Sequence, residues 1–341
     1  MNHALLILAH THLELLLEWM DRVDERFALF LHVDRKTPLP PSVAAALRAC
    51  PRVRRVEQVY DVYWGDRSIA DAALWLCRCA LADRGQRYDY FHLLSGTDFP
   101  LCEPSAFHEF FERRRGHSFL EYFRLPSPHW HAGGLDRLRY VYPISRTGWS
   151  SPHARAVYDR YLRMQQAQGR CRPLPPYTVY GGSTWWSLTR EAVAYVCRHY
   201  RDGGWYDRLA DTFAPDELMV QTVLLHSPLK GTLVNQSLRY VLWQQRDGHY
   251  PAILNASDWP QIKQSGALFA RKFHPGSHPP DPPDSGRMAC VGKMSARASA
   301  WARNSLTKAL KRSSPHGAHC GGRQCSSAGI PRLRRHTLYR R

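Results

Sequence analysis

Short apolar runs alternate with amphipathic stretches along the first 273 residues of the chain. Strands are predicted by four of the runs, "ALLILA" (4–9), "FALFLHVD" (27–34), "VEQVY" (56–60) and "YDYFHLL" (88–94). Helices are predicted by the periodicity of "LELLLEWMDRV" (13–23), "PSVAAALRA" (41–49) and "SIADAALWLCRCALAD" (68–83). This alternation is typical of βαβ units, so the predicted fold class is α/β, with a mostly parallel central sheet flanked by helices.

The second half of the chain contains four informative segments: "YGGSTWWSLTREAVAYV" (180–196), "APDELMVQTVL" (214–224), "LRYVLW" (238–243) and "LFARKF" (268–273). The first runs from two glycines, which permit close backbone approach, into a predicted helix. In the second, Pro215 is predicted in the first turn of a helix, where the helix dipole favours the neighbouring acids Asp216 and Glu217. An acidic first turn is ordinary helix chemistry, so a structural role remains open there.

Polar residues follow three of the predicted strands at the point where each strand ends. They are His10, the pair Asp34 and Arg35, and the stretch from Ser95 to Asp98. In open parallel sheets, ligands bind beyond the carboxyl ends of the strands, so these residues are candidates for one site. A structural alternative stays open, because Asp34 and Asp98 are also typical turn residues.

Composition fits a chain with a substantial core and no bilayer-spanning run. Of 341 residues, 44% are hydrophobic, but no apolar run approaches the roughly 20 residues that a membrane helix needs. The run at 4–9 lacks the features of a secretion signal, so we expect a cytoplasmic chain whose nine cysteines are reduced structural thiols.

The positive charge is concentrated at the C-terminal end. Residues 274–341 contain 13 Lys or Arg and two Asp, which gives +11 of the net charge of +18. This Pro/Ser/Arg-rich segment is poor in large aliphatic residues, so we predict a disordered basic tail after a domain of residues 1–273. Such a tail is expected to contact an anionic membrane at its inner face rather than a specific nucleic acid, because no nucleic-acid motif is present. Retention of DNA or RNA through the tail is the less favoured alternative.

Six motifs in order resemble the core-2/I-branching enzyme family, glycosyltransferase family 14, which includes the peptide-O-xylosyltransferases. They are "HVD", "WGDRS", "HLLSGTDFPL", "GGSTWW", "PDE" and "LFARKF", and the resemblance covers roughly residues 4–273. It is most similar to the soluble bacterial members. The resemblance implies a GT-A-like fold and transfer of a sugar from a UDP-sugar, with inversion, to a glycan or other hydroxyl acceptor. GlcNAc and xylose are the donor sugars it implies.

The resemblance also implies that no metal or other cofactor takes part. Metal-dependent GT-A enzymes hold a cation with an Asp-x-Asp motif, and this sequence contains none. "HTH" (10–12) and "HWH" (129–131) have alternating histidines without a convincing ligand set. Lys272 matches the family lysine that binds the donor phosphates, with Arg271 as a weaker candidate beside it. A second family cation falls near Pro251, close to His249, so what replaces it is left open.

The resemblance also implies roles for individual residues of the site. Glu217 matches the catalytic glutamate, which removes the proton of the acceptor hydroxyl. Asp98 is placed beside the donor sugar, and His10 and Asp34 face the uridine. Glu121 and Trp243 match acceptor-contacting positions of the mucin-branching enzymes. Trp64, Gly65 and Ser68 are predicted to form the pocket, and a purely structural role is left equally open for these three. A relative that binds the nucleotide sugar or a glycan but transfers weakly is the alternative.

Overall fold

The computed structural model describes residues 1–144, 152–202 and 211–277, together with residues 207 and 209. From residue 278 onward, the predicted disordered tail lies outside the described residues, so the division into a domain and a tail stays a prediction.

Twelve strands are present in the described part of the chain. They are β1 (His3–Ala9), β2 (Phe27–Val33), β3 (Val53–Glu57), β4 (Tyr90–Ser95), β5 (Phe99–Pro100), β6 (Ser118–Leu120), β7 (Phe123–Arg124), β8 (Tyr180–Gly181), β9 (Trp186–Thr189), β10 (Leu233–Asn235), β11 (Arg239–Val241) and β12 (Phe269–Arg271). The α-helices of the same residues are α1 (Leu15–Glu18), α2 (Pro41–Ala49), α3 (Ser68–Leu81), α4 (Pro104–Glu112), α5 (Asp136–Arg139), α6 (Pro152–Ala167), α7 (Arg190–Asp202), α8 (Met219–Leu225) and α9 (Trp259–Ser265).

Seven strands form the central sheet in the order β10-β6-β9-β4-β1-β2-β3. Strands β4, β1, β2 and β3 run parallel to one another, as β10 does to β6, whereas β9 is antiparallel to both β4 and β6. A smaller sheet has the order β11-β12-β5, and β7 pairs with β8. The predicted α/β class, with a mostly parallel central sheet flanked by helices, is confirmed.

The two faces of the central sheet are buried in separate cores. Leu6 and Leu8 of β1 pack in the core that contains apolar residues of α3, α7 and α8, whereas Leu5 and Ile7 pack with those of α1, α2 and α4. A parallel strand covered on both faces needs apolar residues at every position, which explains the uninterrupted apolar run at 4–9.

Several predicted boundaries differ from the structure. Instead of a helix over 13–23, α1 is one turn that continues as a 3₁₀ turn at Trp19–Asp21. There the indole of Trp19 is buried and donates to the carbonyl of Asp98 at 2.9 Å, so tertiary packing fixes this segment. Strand β3 begins at Val53 rather than Val56, because Arg54 and Arg55 lie exposed on an edge strand that tolerates charge.

None of the helices described is both long and apolar enough to cross a bilayer.

Most described cysteines are reduced thiols, as predicted. They are Cys50, Cys77, Cys79, Cys102 and Cys197. Cys171 is disulfide-bonded, so the prediction of reduced thiols is wrong at that position.

Candidate active site

The carboxyl ends of β1, β2 and β4 lie side by side and bring the predicted strand-end residues together. The amide of Asp34 donates to the carbonyl of Ala9 at 2.8 Å, and the amide of Gly96 donates to that of Leu8 at 2.8 Å. A Cβ on Gly96 would lie only 2.9 Å from the Cβ of Ala9, so a glycine is needed for this approach. We call His10, Asp34, Asp98, Arg271 and Lys272 the strand-end cluster.

The buried carboxylate of Asp34 is satisfied from one side by Lys36 and the following loop. It accepts from the Lys36 ammonium at 2.8 Å, the Lys36 amide at 3.0 Å and the Val62 amide at 3.2 Å. Asp34 therefore has the predicted turn role after β2. The contact with uridine that is predicted for the same residue stays a prediction. Desolvation lowers the pKa of His10, with Lys272 acting in the same direction and Asp34 opposing it, which places these three groups in one electrostatic environment.

Asp98 is fully buried at the turn after β4. One carboxylate oxygen closes the turn by accepting from the amide of Ser95, and the other lies 3.8 Å from the Nε of Arg271. The second distance is too long for a hydrogen bond, so this oxygen is held by charge alone. Asp98 thus organises the turn and attracts the cationic end of β12.

Two consecutive cations at the end of β12 occupy different environments. Arg271 has a side chain only 13% exposed and stacks on Trp185, with the guanidinium carbon 4.4 Å from the ring centre. Arg271 is therefore not a solvated residue of a strand edge. Lys272 is half-buried, and its pKa is lowered by desolvation and by Arg271, while Asp98 opposes the shift. Within the described residues, Lys272 has no ion-pair partner, so its charge is free to meet an anion.

A third cation, Arg239, lies beneath the strand-end cluster and fastens the smaller sheet to the central one. Its guanidinium donates to the carbonyls of Trp186 at 2.6 Å and Leu93 at 3.1 Å and to the hydroxyl of Ser187 at 2.8 Å. Burial lowers the pKa of Arg239 to about 9, so the group remains a cation at neutral pH. The sequence analysis did not single out Arg239, because it lies in the otherwise apolar segment "LRYVLW" (238–243) that contains β11.

Glu217 forms an ion pair with a residue that the sequence did not reveal. The Nη1 of Arg137 donates to its Oε2 at 2.7 Å, and the Arg137 guanidinium stacks 3.6 Å from the ring centre of Trp130. Arg137 is buried, whereas the side chain of Glu217 is 33% exposed. The result is a fixed carboxylate that solvent, and hence an acceptor hydroxyl, can reach.

The local backbone of Glu217 differs from the prediction. Residues Pro215–Glu217 form a 3₁₀ turn that ends at Leu218, and α8 begins only at Met219. Ala214 has φ of +46°, and its amide donates to the carbonyl of Gly65 at 2.6 Å, which turns the chain before Pro215. Since Glu217 is not in the first turn of an α-helix, its electrostatic partner is the guanidinium of Arg137 rather than a helix dipole.

Two further carboxyl groups, those of Asp216 and Glu121, lie near Glu217. Burial and the nearby Glu217 raise the pKa of Asp216 to about 7, while Thr184 donates to its carboxylate at 2.6 Å. Burial, followed by Glu217, also raises the pKa of Glu121. We call Glu121, Asp216 and Glu217, with Arg137, the carboxylate cluster. Within it, Glu217 is the member that the described residues show in an ion pair with Arg137.

The segment "GGSTWW" joins the two clusters. The amide of Gly182 donates to the carbonyl of Glu217 at 2.9 Å, and a Cβ at this position would lie 1.9 Å from the carbonyl oxygen of Glu121. Three residues later, Trp185 stacks against Arg271. One short segment therefore touches both clusters, and only glycine fits at 182.

The two predicted sugar-facing tryptophans lie in different surroundings. Trp64 is 58% exposed and makes an edge-to-face contact with Phe213, whose ring also lies 5.3 Å from the Arg137 guanidinium. Trp243 is 44% exposed and packs against Tyr250, next to His249. The structure thus brings Trp64 towards the carboxylate cluster and associates Trp243 with a separate loop, and the sugar-binding role of both stays a prediction.

The comparisons with known proteins agree with this arrangement. The family model for the Core-2/I-Branching enzyme matches residues 4–263, so the chain belongs to that family. Xylosyltransferase 2 of Canis lupus familiaris is 28% identical over 240 residues, 69% of this chain and 25% of the relative. Xylosyltransferase oxt of Drosophila pseudoobscura pseudoobscura is 25% identical over 268 residues, 72% of this chain and 28% of the relative. The chain spans about a quarter of the length of these relatives.

The likeness to solved structures is weak. The 4-diphosphocytidyl-2C-methyl-D-erythritol synthase of Anaerococcus prevotii aligns with 59% of this chain and 75% of its own length, at 13% identity and a TM-score of 0.29. We draw no functional argument from a similarity at this level.

Proposed function

We propose that the protein is an inverting, metal-independent glycosyltransferase that uses a UDP-sugar, with GlcNAc or xylose as the favoured sugar. The acceptor is a hydroxyl group of a glycan or other molecule. The observation that carries this proposal is the partly exposed Glu217, fixed by the buried Arg137, in a chain that belongs to a sugar-transferring family.

In the proposed reaction, the acceptor oxygen attacks the anomeric carbon from the face opposite the diphosphate. The new carbon–oxygen bond forms as the bond to the phosphate oxygen breaks, and its electron pair leaves with UDP. The carboxylate of Glu217 takes the proton of the acceptor hydroxyl. Lys272 stabilises the charge that develops on the leaving diphosphate.

Metal independence rests on two features of the chain. The sequence contains no Asp-x-Asp motif. In the part of the chain that the structure describes, no group of three or more His, Cys, Asp or Glu side chains is arranged to hold a metal ion. Lys272 is therefore proposed to act where a divalent cation would otherwise neutralise the diphosphate.

The test combines donors, acceptors and a chelator. The purified chain is incubated with UDP-GlcNAc or UDP-xylose and a panel of glycans and hydroxyl-bearing peptides, with excess EDTA or with Mn²⁺. We expect transfer that survives EDTA, and an α-linked donor that yields a β-linked product by NMR. A strict requirement for the added metal, or retention of configuration, would contradict the mechanism. Donor binding without transfer to any acceptor would favour the weakly catalytic alternative.

A further inference from the structure

Three histidines from separate segments meet beside the strand-end cluster. His12 follows β1, His274 follows β12, and His249 lies in the turn where its backbone bridges to Arg246. The ring centres of His12 and His274 are 4.3 Å apart, and those of His249 and His274 are 5.2 Å apart. We call His12, His249 and His274 the histidine cluster.

The charges around this cluster are mainly positive. Lys272 is two residues from His274, and the pKa of His274 is lowered by desolvation and then by His12, His249 and Lys272. Among the described residues, the acid that pairs with this cluster is Glu14, with its Oε1 3.6 Å from the Nδ1 of His12 and a side chain that is 57% exposed. The exposed Asp247 lies in the same turn as His249. A half-exposed carboxylate of this kind is screened by solvent and compensates little of the positive charge.

Four groups that can carry positive charge thus lie together, and the neighbouring acids Glu14 and Asp247 are exposed. In the free protein, burial and the positive neighbours of His274 disfavour a proton on its ring, so a bound anion would stabilise this arrangement. Such an anion would reverse the balance, because each protonated imidazole would then gain an attractive partner. A diphosphate supplies two negative charges close together and would be attracted to such a group.

We propose that the histidine cluster, together with Lys272, holds the diphosphate of the UDP-sugar, and that donor binding draws protons onto the imidazoles. This inference rests on the proposed function, since it takes the ligand to be a nucleotide sugar. It adds a consequence that Lys272 alone does not predict. Affinity for the donor should rise as the pH falls from about 8 to about 6, across the ordinary titration range of histidine.

The experiment measures donor affinity by calorimetry at about pH 8, 7 and 6, with UDP-GlcNAc and UDP-xylose as probes. A UDP-sugar suits this test, because its diphosphate is esterified at both ends and does not titrate in that range. Repeating the titration in two buffers of different ionisation enthalpy counts the protons taken up. Uridine serves as the ligand without a diphosphate.

The matched variant carries His12→Asn, His249→Gln and His274→Gln together. Asparagine is chosen at 12 because His12 has φ of +50°, a backbone conformation that asparagine tolerates. The exposed His117→Gln is the control. His249→Gln alone, at an exposed position, gives a second test if the triple variant does not fold.

For the wild-type chain and the control, we expect affinity to improve by about threefold or more between pH 8 and pH 6, with proton uptake and no such change for uridine. In the triple variant the pH dependence and the proton uptake should disappear. The inference would be overturned if the donor affinity of the wild type did not depend on pH, or if the triple variant kept the same pH dependence. Either result would leave the proposed function standing. A pH effect that required added zinc would also overturn it. Failure of both UDP-sugars to bind at any pH would contradict the proposed function itself.

Discussion

The strand-end cluster and the carboxylate cluster are assembled in different ways. His10, Asp34 and Asp98 of the first follow adjacent strands of one sheet, so their convergence is a property of sheet topology. In the second, Arg137 and Glu217 are 80 positions apart in the chain and are held together by a side-chain ion pair. Side chains at strand ends are thus positioned by regular backbone structure, whereas those of the carboxylate cluster depend on specific pairing. We therefore expect the two clusters to fail differently when altered.

The largest expected effect is on chemistry at the carboxylate cluster. Glu217→Gln keeps the size and much of the hydrogen bonding of the side chain but removes the base, so transfer should fall about 100-fold or more. Donor affinity, measured separately by calorimetry, should stay nearly unchanged. The exposed Glu109→Gln is the matched control. Near-normal transfer by Glu217→Gln would show that Glu217 is only a structural acid.

The next effect concerns stability and belongs to the sheet that supports the strand-end cluster. The Nδ1 of His3 and the Nε2 of His92 lie 3.0 Å apart in the core, and burial lowers the pKa of both well below the usual value. Both residues are therefore neutral when folded, so their contribution is complete above about pH 6.5 and is lost as the pH falls. Between about pH 7.5 and 5.5, the free energy of unfolding should fall by roughly 2 kcal/mol.

Denaturant unfolding at several pH values checks this slope. His92→Asn should reduce the acid sensitivity, even if it lowers stability at neutral pH, because one buried titrating group is gone. His117→Asn, at an exposed position, should leave the slope unchanged. An equally steep slope in His92→Asn would place the acid sensitivity elsewhere.

Donor binding at the strand-end cluster should respond next. Lys272→Ala removes the cation that has no ion-pair partner among the described residues, so donor affinity should fall about tenfold and turnover should fall further. Lys272→Arg should restore only part of the loss, because a planar guanidinium differs from a compact ammonium. Calorimetry and initial rates separate the two effects, with the exposed Lys230→Ala as the control. Loss of turnover with unchanged donor affinity would remove Lys272 from the donor site.

The smallest effect would sharpen the boundary between the two clusters. Trp64→Ala should raise the acceptor KM about threefold, since a flat ring that can pack on a sugar is lost, and should leave donor affinity unchanged. Trp243→Ala is the paired variant. An effect of Trp243→Ala on the acceptor KM would support the role implied by resemblance. An effect on donor affinity would instead place it with the loop of His249.

The sheet and the strand-end cluster could be predicted because the signals are local. The apolar runs of β1, β2 and β4 reflect burial on both faces, and the polar residues after them mark the ligand edge. Boundaries were less predictable where a tertiary contact decides, as with Trp19 and the carbonyl of Asp98. The sequence pattern also does not indicate that the 3₁₀ turn at Pro215–Glu217 is separate from α8, which begins at Met219.

Arg137 could not be found from the sequence, for a physical reason. Its role comes from contacts with Trp130 and Glu217, the second 80 positions away. In a chain with 47 Lys and Arg residues, nothing in the local pattern distinguishes one arginine. The histidines were visible as "HTH" and near Pro251, but only the fold shows that His12 and His249 both reach His274.

The close approach at Gly182 also affects how variants of this enzyme should be made. If residues 181 to 185 were randomised to alter sugar preference, most variants would be non-functional because of the substitution at position 182 alone. Any side chain at 182 would overlap the carbonyl of Glu121, 1.9 Å from the position of its Cβ. Diversity is better introduced at the exposed Trp64, where a changed side chain meets solvent, and selection at 182 should return only glycine.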